Sequence, residues 1–178
     1  LSIIQNEWNF SCPVGADDFS LLLKYRLLSE PHESLCKYQD VSEELSNRII
    51  RNRNQFRSFG QFCTLLKTKE LTYSRISRGL LHILLAVKKE DMLRYRESSC
   101  IYTRILGFRK EHADVLRQIK ENASIPVITK LGQTDSLLPE TIRMLDQTTF
   151  ASDLYESVVS DKFGIPFINE YQKQIIHV

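Results

Sequence analysis

Glycine and proline are scarce, six and five in 178 residues, which excludes collagen-like and low-complexity chains and leaves little material for glycine-built phosphate loops. None of G-x-x-x-x-G-K-[ST], G-x-G-x-x-G or G-x-S-x-G occurs. No run approaches the ~20 consecutive apolar residues of a membrane span, and the longest, Leu80 to Val87, is interrupted by His82. The cysteines Cys12, Cys36, Cys63 and Cys100 never form a C-x-x-C pair, and His32, His82, His112 and His177 never fall at H-x-x-x-H spacing. Zinc ribbons and thioredoxin-type sites therefore have no support, and no metal ligand is expected. The thiols read as small core hydrophobes of a reduced, cytoplasmic protein. The paired carboxylates Asp17-Asp18 and Glu43-Glu44 sit at helix starts, where capping explains them better than acid–base chemistry does. No catalytic or cofactor-binding residue is read from the chain. It begins at Leu1 without a basic, apolar leader, so the expectation is a piece cut from something longer.

What is present is a foldable mixture, 42% hydrophobic and 26% charged, of a length that suits one domain. The net charge of +2 conceals a division. From Arg48 to Lys120 there are 17 Lys or Arg against six Asp or Glu, while the remainder carries seven against 16. A basic region of this size suggests a polyanionic partner, nucleic acid first; the alternative is a solvated face balanced by the acidic ends folding back over it.

The apolar period predicts a mainly α fold with a helical bundle-like body. Trp8, Phe10 and Pro13 belong to an extended lead-in. Asp17 or Asp18 caps a first helix whose apolar face is Phe19, Leu22, Leu23 and Leu27, closed by Pro31. Asp40 and Glu43 resemble a capping box ahead of Leu45 and Ile49. Phe56, Phe59, Phe62 and Leu66 form an aromatic stripe that belongs in a core. Between Thr72 and Val87 the helix is apolar around nearly its whole surface, with Tyr73, Ile76, Leu80, Ile83, Leu84 and Val87 on one face. The exception is a strip of Arg75, Arg78, Gly79, His82 and Ala86. Two readings of it stand: presentation to a ligand, or a salt bridge from Arg75 or Arg78 to an internal carboxylate.

Near residues 100 to 131 the pattern changes to a small βαβ unit. Ile101 to Leu106 and Pro126 to Leu131 read as strands, and Lys110 to Asn122 as a helix with Ala113, Leu116 and Ile119 inward. Two strands alone are marginal and need a third from the tail or cover from helices. A final helix is expected from about Thr149, ending at Gly164 and Pro166. The domain reading is a single unit over 1–178, with a helical part at about 16–97, an α/β part at about 98–132, and a C-terminal helix and tail at about 138–178.

The segment from Lys67 through Leu85, then Tyr102-Thr-Arg-Ile-Leu-Gly-Phe108 and Ile125-Pro-Val-Ile-Thr-Lys130, resembles the C-terminal region of bacterial tRNA(Met) cytidine acetate ligases. Asp18 to Tyr25 and Val41 to Ile49 are similar to further blocks of that family. The resemblance implies an enzyme that activates acetate as an acetyl adenylate with ATP and transfers it to the wobble cytidine of elongator tRNA(Met). The family's H-x-G-H-type motif is not found in this sequence. The chain is therefore expected to be a tRNA-binding C-terminal domain, inactive alone, with ATP confined to a missing N-terminal catalytic half. Lys67, Lys69, Arg75, Arg78 and His82 are its RNA-binding candidates. The rival is a structural docking or dimerisation domain, with the catalytic half or a second copy as partner and no membrane contact. A DNA-reading helix-turn-helix is disfavoured, because its second helix would be too apolar to lie in a groove.

Overall fold

The computed structural model describes residues 14–97, 102–132, 134 and 137–177; the lead-in with Trp8 and Phe10, and Cys12, Cys100 and Ile101, lie outside them. Five helices build the main body: α1 (Ser20–Ser29), α2 (His32–Leu35), α3 (Glu43–Asn52), α4 (Phe59–Leu66) and α5 (Tyr73–Leu84). α1 and α2 start after Phe19 and Pro31 without a side-chain cap, so neither Asp17 nor Asp18 caps α1, whereas α3, α4 and α5 are capped by side chains, because an oxygen one or two atoms from the backbone reaches the free amides of the first turn. Ser42 accepts from the Leu45 amide, Ser58 from Gln61 and Thr72 from Arg75. Asp17 reaches across sequence instead: its carboxylate accepts from the Gly60 amide at 2.6 Å, and the Ser20 hydroxyl accepts from Phe59, so the start of α4 is capped by the approach to α1. The C-terminal end of α4 is met by Arg48, whose Nε donates to the Leu66 carbonyl.

The core of this body contains Leu23, Leu27, Leu45, Ile49, Phe59, Phe62, Leu66, Ile76, Leu80 and Ile83, all essentially without solvent exposure. The aromatic stripe is thus core, as its spacing indicates. Several expectations need correction. Leu22 is partly exposed, because the residues that α1 buries in the body are Leu23 and Leu27. The cap of α3 is Ser42, not Asp40. α5 stops at Leu84, since Ala86 turns into the left-handed region at φ 56° and carries the chain back to pair Lys88 with Tyr38. Tyr73 lies at the first turn of α5 and is half-exposed rather than core.

A further helix, α6 (Lys89–Glu97), leads to the α/β part. There β1 (Thr103–Arg104) and β2 (Gly107–Phe108) are two short pieces of one extended segment, followed by α7 (Ala113–Asn122) and β3 (Val127–Ile128). After them come α8 (Pro139–Phe163) and β4 (Ile176–His177). β1 pairs in parallel with β3, Thr103 opposite Val127, and β2 in parallel with β4, Gly107 opposite Ile176. Backbone amides on a strand alternate in direction, so the middle segment bonds β3 through Thr103 and Ile105 and accepts from Ile176 through Leu106 on its other edge. The tail supplies the third strand, and the fold is mainly α with a small parallel βαβ unit.

α7 is not packed inward as its period suggests: it buries no residue, and Ile119 is 43% exposed. Two-residue strands offer too little surface to cover an amphipathic helix. α8 starts at Pro139, ten residues before the expected start, because its first turns carry Thr, Gln and Asp rather than an apolar period; Pro at its first position is the sequence signal for that start. Leu145 joins Ile128 and Leu131 in a second small core, whereas Leu154 packs on the first, so α8 spans both. Its end at Gly164, φ 64°, is where the sequence places it. No helix among the described residues is long and apolar enough to cross a membrane.

Candidate functional site

The strip on α5 is organised by Gly79. A methyl group added there would lie 3.1 Å from Leu45 Cδ2 and 3.3 Å from the Asp40 carbonyl oxygen. The missing Cβ is what lets the segment before α3 close onto α5. The object of the close approach is therefore this chain's own backbone. Asp40, held at φ 60°, a region that aspartate tolerates better than most residues, then sits beside the strip. Its carboxylate lies 3.3 Å from Arg78 Nε and 3.6 Å from His82 Nδ1, and the same imidazole nitrogen donates to the Gln39 carbonyl at 3.0 Å. The internal salt bridge is thus realised for Arg78, which nevertheless remains 64% exposed. Gly79→Ala gains helix propensity of up to about 1 kcal/mol but overpacks this contact, which costs about 1 to 3 kcal/mol. The expected result in urea denaturation is a net loss of about 1 kcal/mol; a stabilised variant would show that the approach is not tight.

Arg75, one turn earlier, has no ion pair among the described residues. It borders a cleft of about 440 Å³ between the segment before α3 and α6, lined by Gln39, Asp40, Val41, Ser42, Arg75, Lys89, Met92, Leu93 and Arg96. Lys89 is committed to structure, since its Nζ donates to the carbonyls of Cys36 and Val41 at 2.7 and 2.9 Å. Arg75 and Arg96 are the cations of this lining with no ion pair among the described residues, and Met92 and Leu93 provide an apolar wall. Lys67 and Lys69 lie exposed on the loop that precedes α5, a loop closed by reciprocal bonds between Thr68 and Leu71. The predicted residues therefore divide. Lys67, Lys69 and Arg75 are exposed at the entry to α5, while Arg78 and His82 are tied to Asp40 and Gln39. Sequence reasoning missed Arg96 and the helix that carries it. The signal was available in the spacing of Glu90 and Arg94, four residues apart and 3.9 Å in space.

Cys63 is buried, and burial pushes its thiol up to about 11, so it is protonated and inert at neutral pH. Among the described residues no group of three His, Cys, Asp or Glu could hold a metal ion.

The family model described as HIGH Nucleotidyl Transferase matches residues 1–165. The chain belongs to this family. It is 37% identical over 131 residues to the tRNA(Met) cytidine acetate ligase of Clostridium perfringens, which covers 72% of this chain and 32% of that protein. It is 34% identical over 159 residues to the ligase of the same name from Thermoanaerobacter sp., covering 88% and 38%. The chain thus spans about a third of the length of these curated relatives. A crystal structure of Thermotoga maritima TmcAL bound with alpha-thio ATP has a TM-score of 0.82 at 24% identity, covering 99% of this chain and 45% of that one. At that identity the likeness concerns the fold.

These findings correct the assignment of the chain to a C-terminal tRNA-binding domain whose nucleotidyl transferase half is missing. The nucleotidyl transferase family model covers the chain itself over 1–165. They equally correct the confinement of ATP to another domain, and the picture of a docking piece with an absent catalytic partner. Neither the likeness of these blocks to a C-terminal region nor the absence of H-x-G-H places the chain outside the nucleotidyl transferase family.

Proposed function

We propose that this chain works in an ATP-dependent tRNA acetate ligase, as part of a nucleotidyl transferase that activates acetate and passes the acetyl group to a cytidine amine of tRNA(Met) in the cytoplasm. The observation that carries the reading is the 37% identity over 131 residues to the Clostridium perfringens ligase, within a family match over 1–165. The cleft between α5 and α6 fits the chemistry in kind. Two guanidiniums suit phosphate oxygens, an apolar wall suits a base or ribose, and about 440 Å³ is within the usual range for a small-molecule site. Arg75 and Arg96 are assigned to phosphate there. Lys67, Lys69 and Arg78 extend the cationic surface, and His82 positions the segment at Gln39 and Asp40 from beneath. No residue of the chain is assigned to the acyl-transfer step itself.

Phosphate in the cleft has two sources, the nucleotide and the tRNA backbone, and one pair of titrations separates them. Calorimetry with ATP is expected to give a saturable isotherm that Arg75→Ala with Arg96→Ala weakens. Filter binding with tRNA is expected to show a log–log salt slope of about −2 to −4, from roughly three to five phosphate contacts, with about two units lost in the same double variant. Lys24→Ala, on an exposed position of α1, should leave both unchanged. Binding of tRNA without ATP would remove the nucleotide from this cleft, and the absence of both would overturn the reading.

A further inference from the structure

A second cleft, of about 690 Å³, opens between the segment leaving β3 and the tail approaching β4, lined by residues 129–132 and 171–175. Its groups sort by what already holds them. Thr129 accepts from Lys120 Nζ at 3.0 Å. Lys173 donates to Glu156 and Glu170. Gln172 and Asn169 close on each other through reciprocal backbone–side-chain bonds. Left over are Lys130, exposed and without an ion pair among the described residues, the Gln174 amide, and the Tyr171 ring, 59% exposed.

The Tyr171 turn is anchored on both sides. The preceding Glu170 is bound to Arg104 at 2.6 Å, and its amide donates to Asp153 at 2.7 Å. On the other side Lys173 is pinned, and the Ile176 amide bonds Leu106. An exposed aromatic ring on a fastened turn is a platform whose ordering entropy is already spent, and burial in the core does not explain it.

We propose that this cleft receives one unpaired nucleotide of an RNA strand. The base stacks on Tyr171, Lys130 takes its phosphate, and the Gln174 amide, which can both donate and accept, meets the base edge. The inference rests on the tRNA reading above and extends it to a site apart from the α5–α6 cleft.

The test titrates the chain with tRNA, a short single-stranded RNA and a duplex RNA of equal length. Tyr171→Ala is expected to weaken single-strand binding about tenfold or more, as removal of a stacking ring does. Tyr171→Phe should stay within about twofold of the parent, since the ring is kept. Lys130→Ala should reduce the single-strand salt slope by about 0.7. Duplex RNA should be indifferent to Tyr171. If tRNA binds but Tyr171→Ala, folded by circular dichroism, binds single-stranded RNA as the parent does, this site is refuted while the ligase reading stands. An equal loss on duplex RNA would also refute it. If no RNA binds at all, this site is refuted, and the ligase reading falls with it only where ATP binding is absent as well.

Discussion

Phe62→Ala is expected to lower the free energy of unfolding by about 3 to 5 kcal/mol. Phe62 has no solvent exposure, and its ring centroid lies 5.0 Å from that of Phe56. It sits on α4, within the core that α1, α3 and α5 share, so truncation opens a cavity that three neighbouring helices cannot all collapse into. Against the roughly 5 to 15 kcal/mol of a typical domain this is a large fraction. Urea denaturation followed by circular dichroism should show a lower midpoint at unchanged slope. Phe150→Ala is the comparison: that ring, on α8, is 48% exposed and its loss should matter far less. A midpoint for Phe62→Ala near that of the parent would mean that the core is not packed as described.

Glu170→Ala is expected to cost about 2 to 4 kcal/mol, because it strips a nearly buried carboxylate from Arg104 and Lys173 and leaves Arg104 unpaired in a site only 24% exposed. The loss should be local to the α/β part, where Arg104 on β1 and the tail before β4 are held together by this group. The pH dependence has a definite sign. Burial alone would raise the Glu170 carboxyl, but hydrogen bonds from Lys173 and Arg104 outweigh it and hold the group below the ordinary glutamate range. A carboxyl depressed in the folded state contributes fully above its unfolded value and loses that contribution as the pH falls through the folded one. The gap in melting temperature between parent and variant should therefore be widest near neutrality and close under acid. A gap that is constant down to pH 3 would show that the charge of Glu170 contributes nothing.

Much of the helical body was legible in the sequence because helices bury apolar residues at three- and four-residue intervals. Phe56, Phe59, Phe62 and Leu66 read as a core stripe and are buried, and the helix whose end Gly164 and Pro166 mark in the sequence stops at Gly164. Where the period was weak the reading failed. α6, with its dense charge, and the first ten residues of α8 carry too few apolar residues to show a face. α7 shows a clear period and buries nothing, since a period states which face would be buried and not whether anything is there to cover it.

The functional strip divides in the same way. Sequence alone determined that Arg75, Arg78, Gly79 and His82 share one side of a mostly apolar helix, because 100° per residue is fixed by backbone geometry. It also determined the basic character of residues 48 to 120, which is composition. Only the tertiary structure decided that Gly79 receives the backbone of Asp40, that Arg78 and His82 are thereby engaged while Arg75 has no ion pair among the described residues, and that Arg75 and Arg96 line one cleft. The contacts of Gly79, Arg78 and His82 with Gln39 and Asp40 join groups more than 30 residues apart, and the cleft joins residues from separate helices. Such contacts depend on how helices pack, to which each residue contributes only a fraction, and no local pattern encodes them.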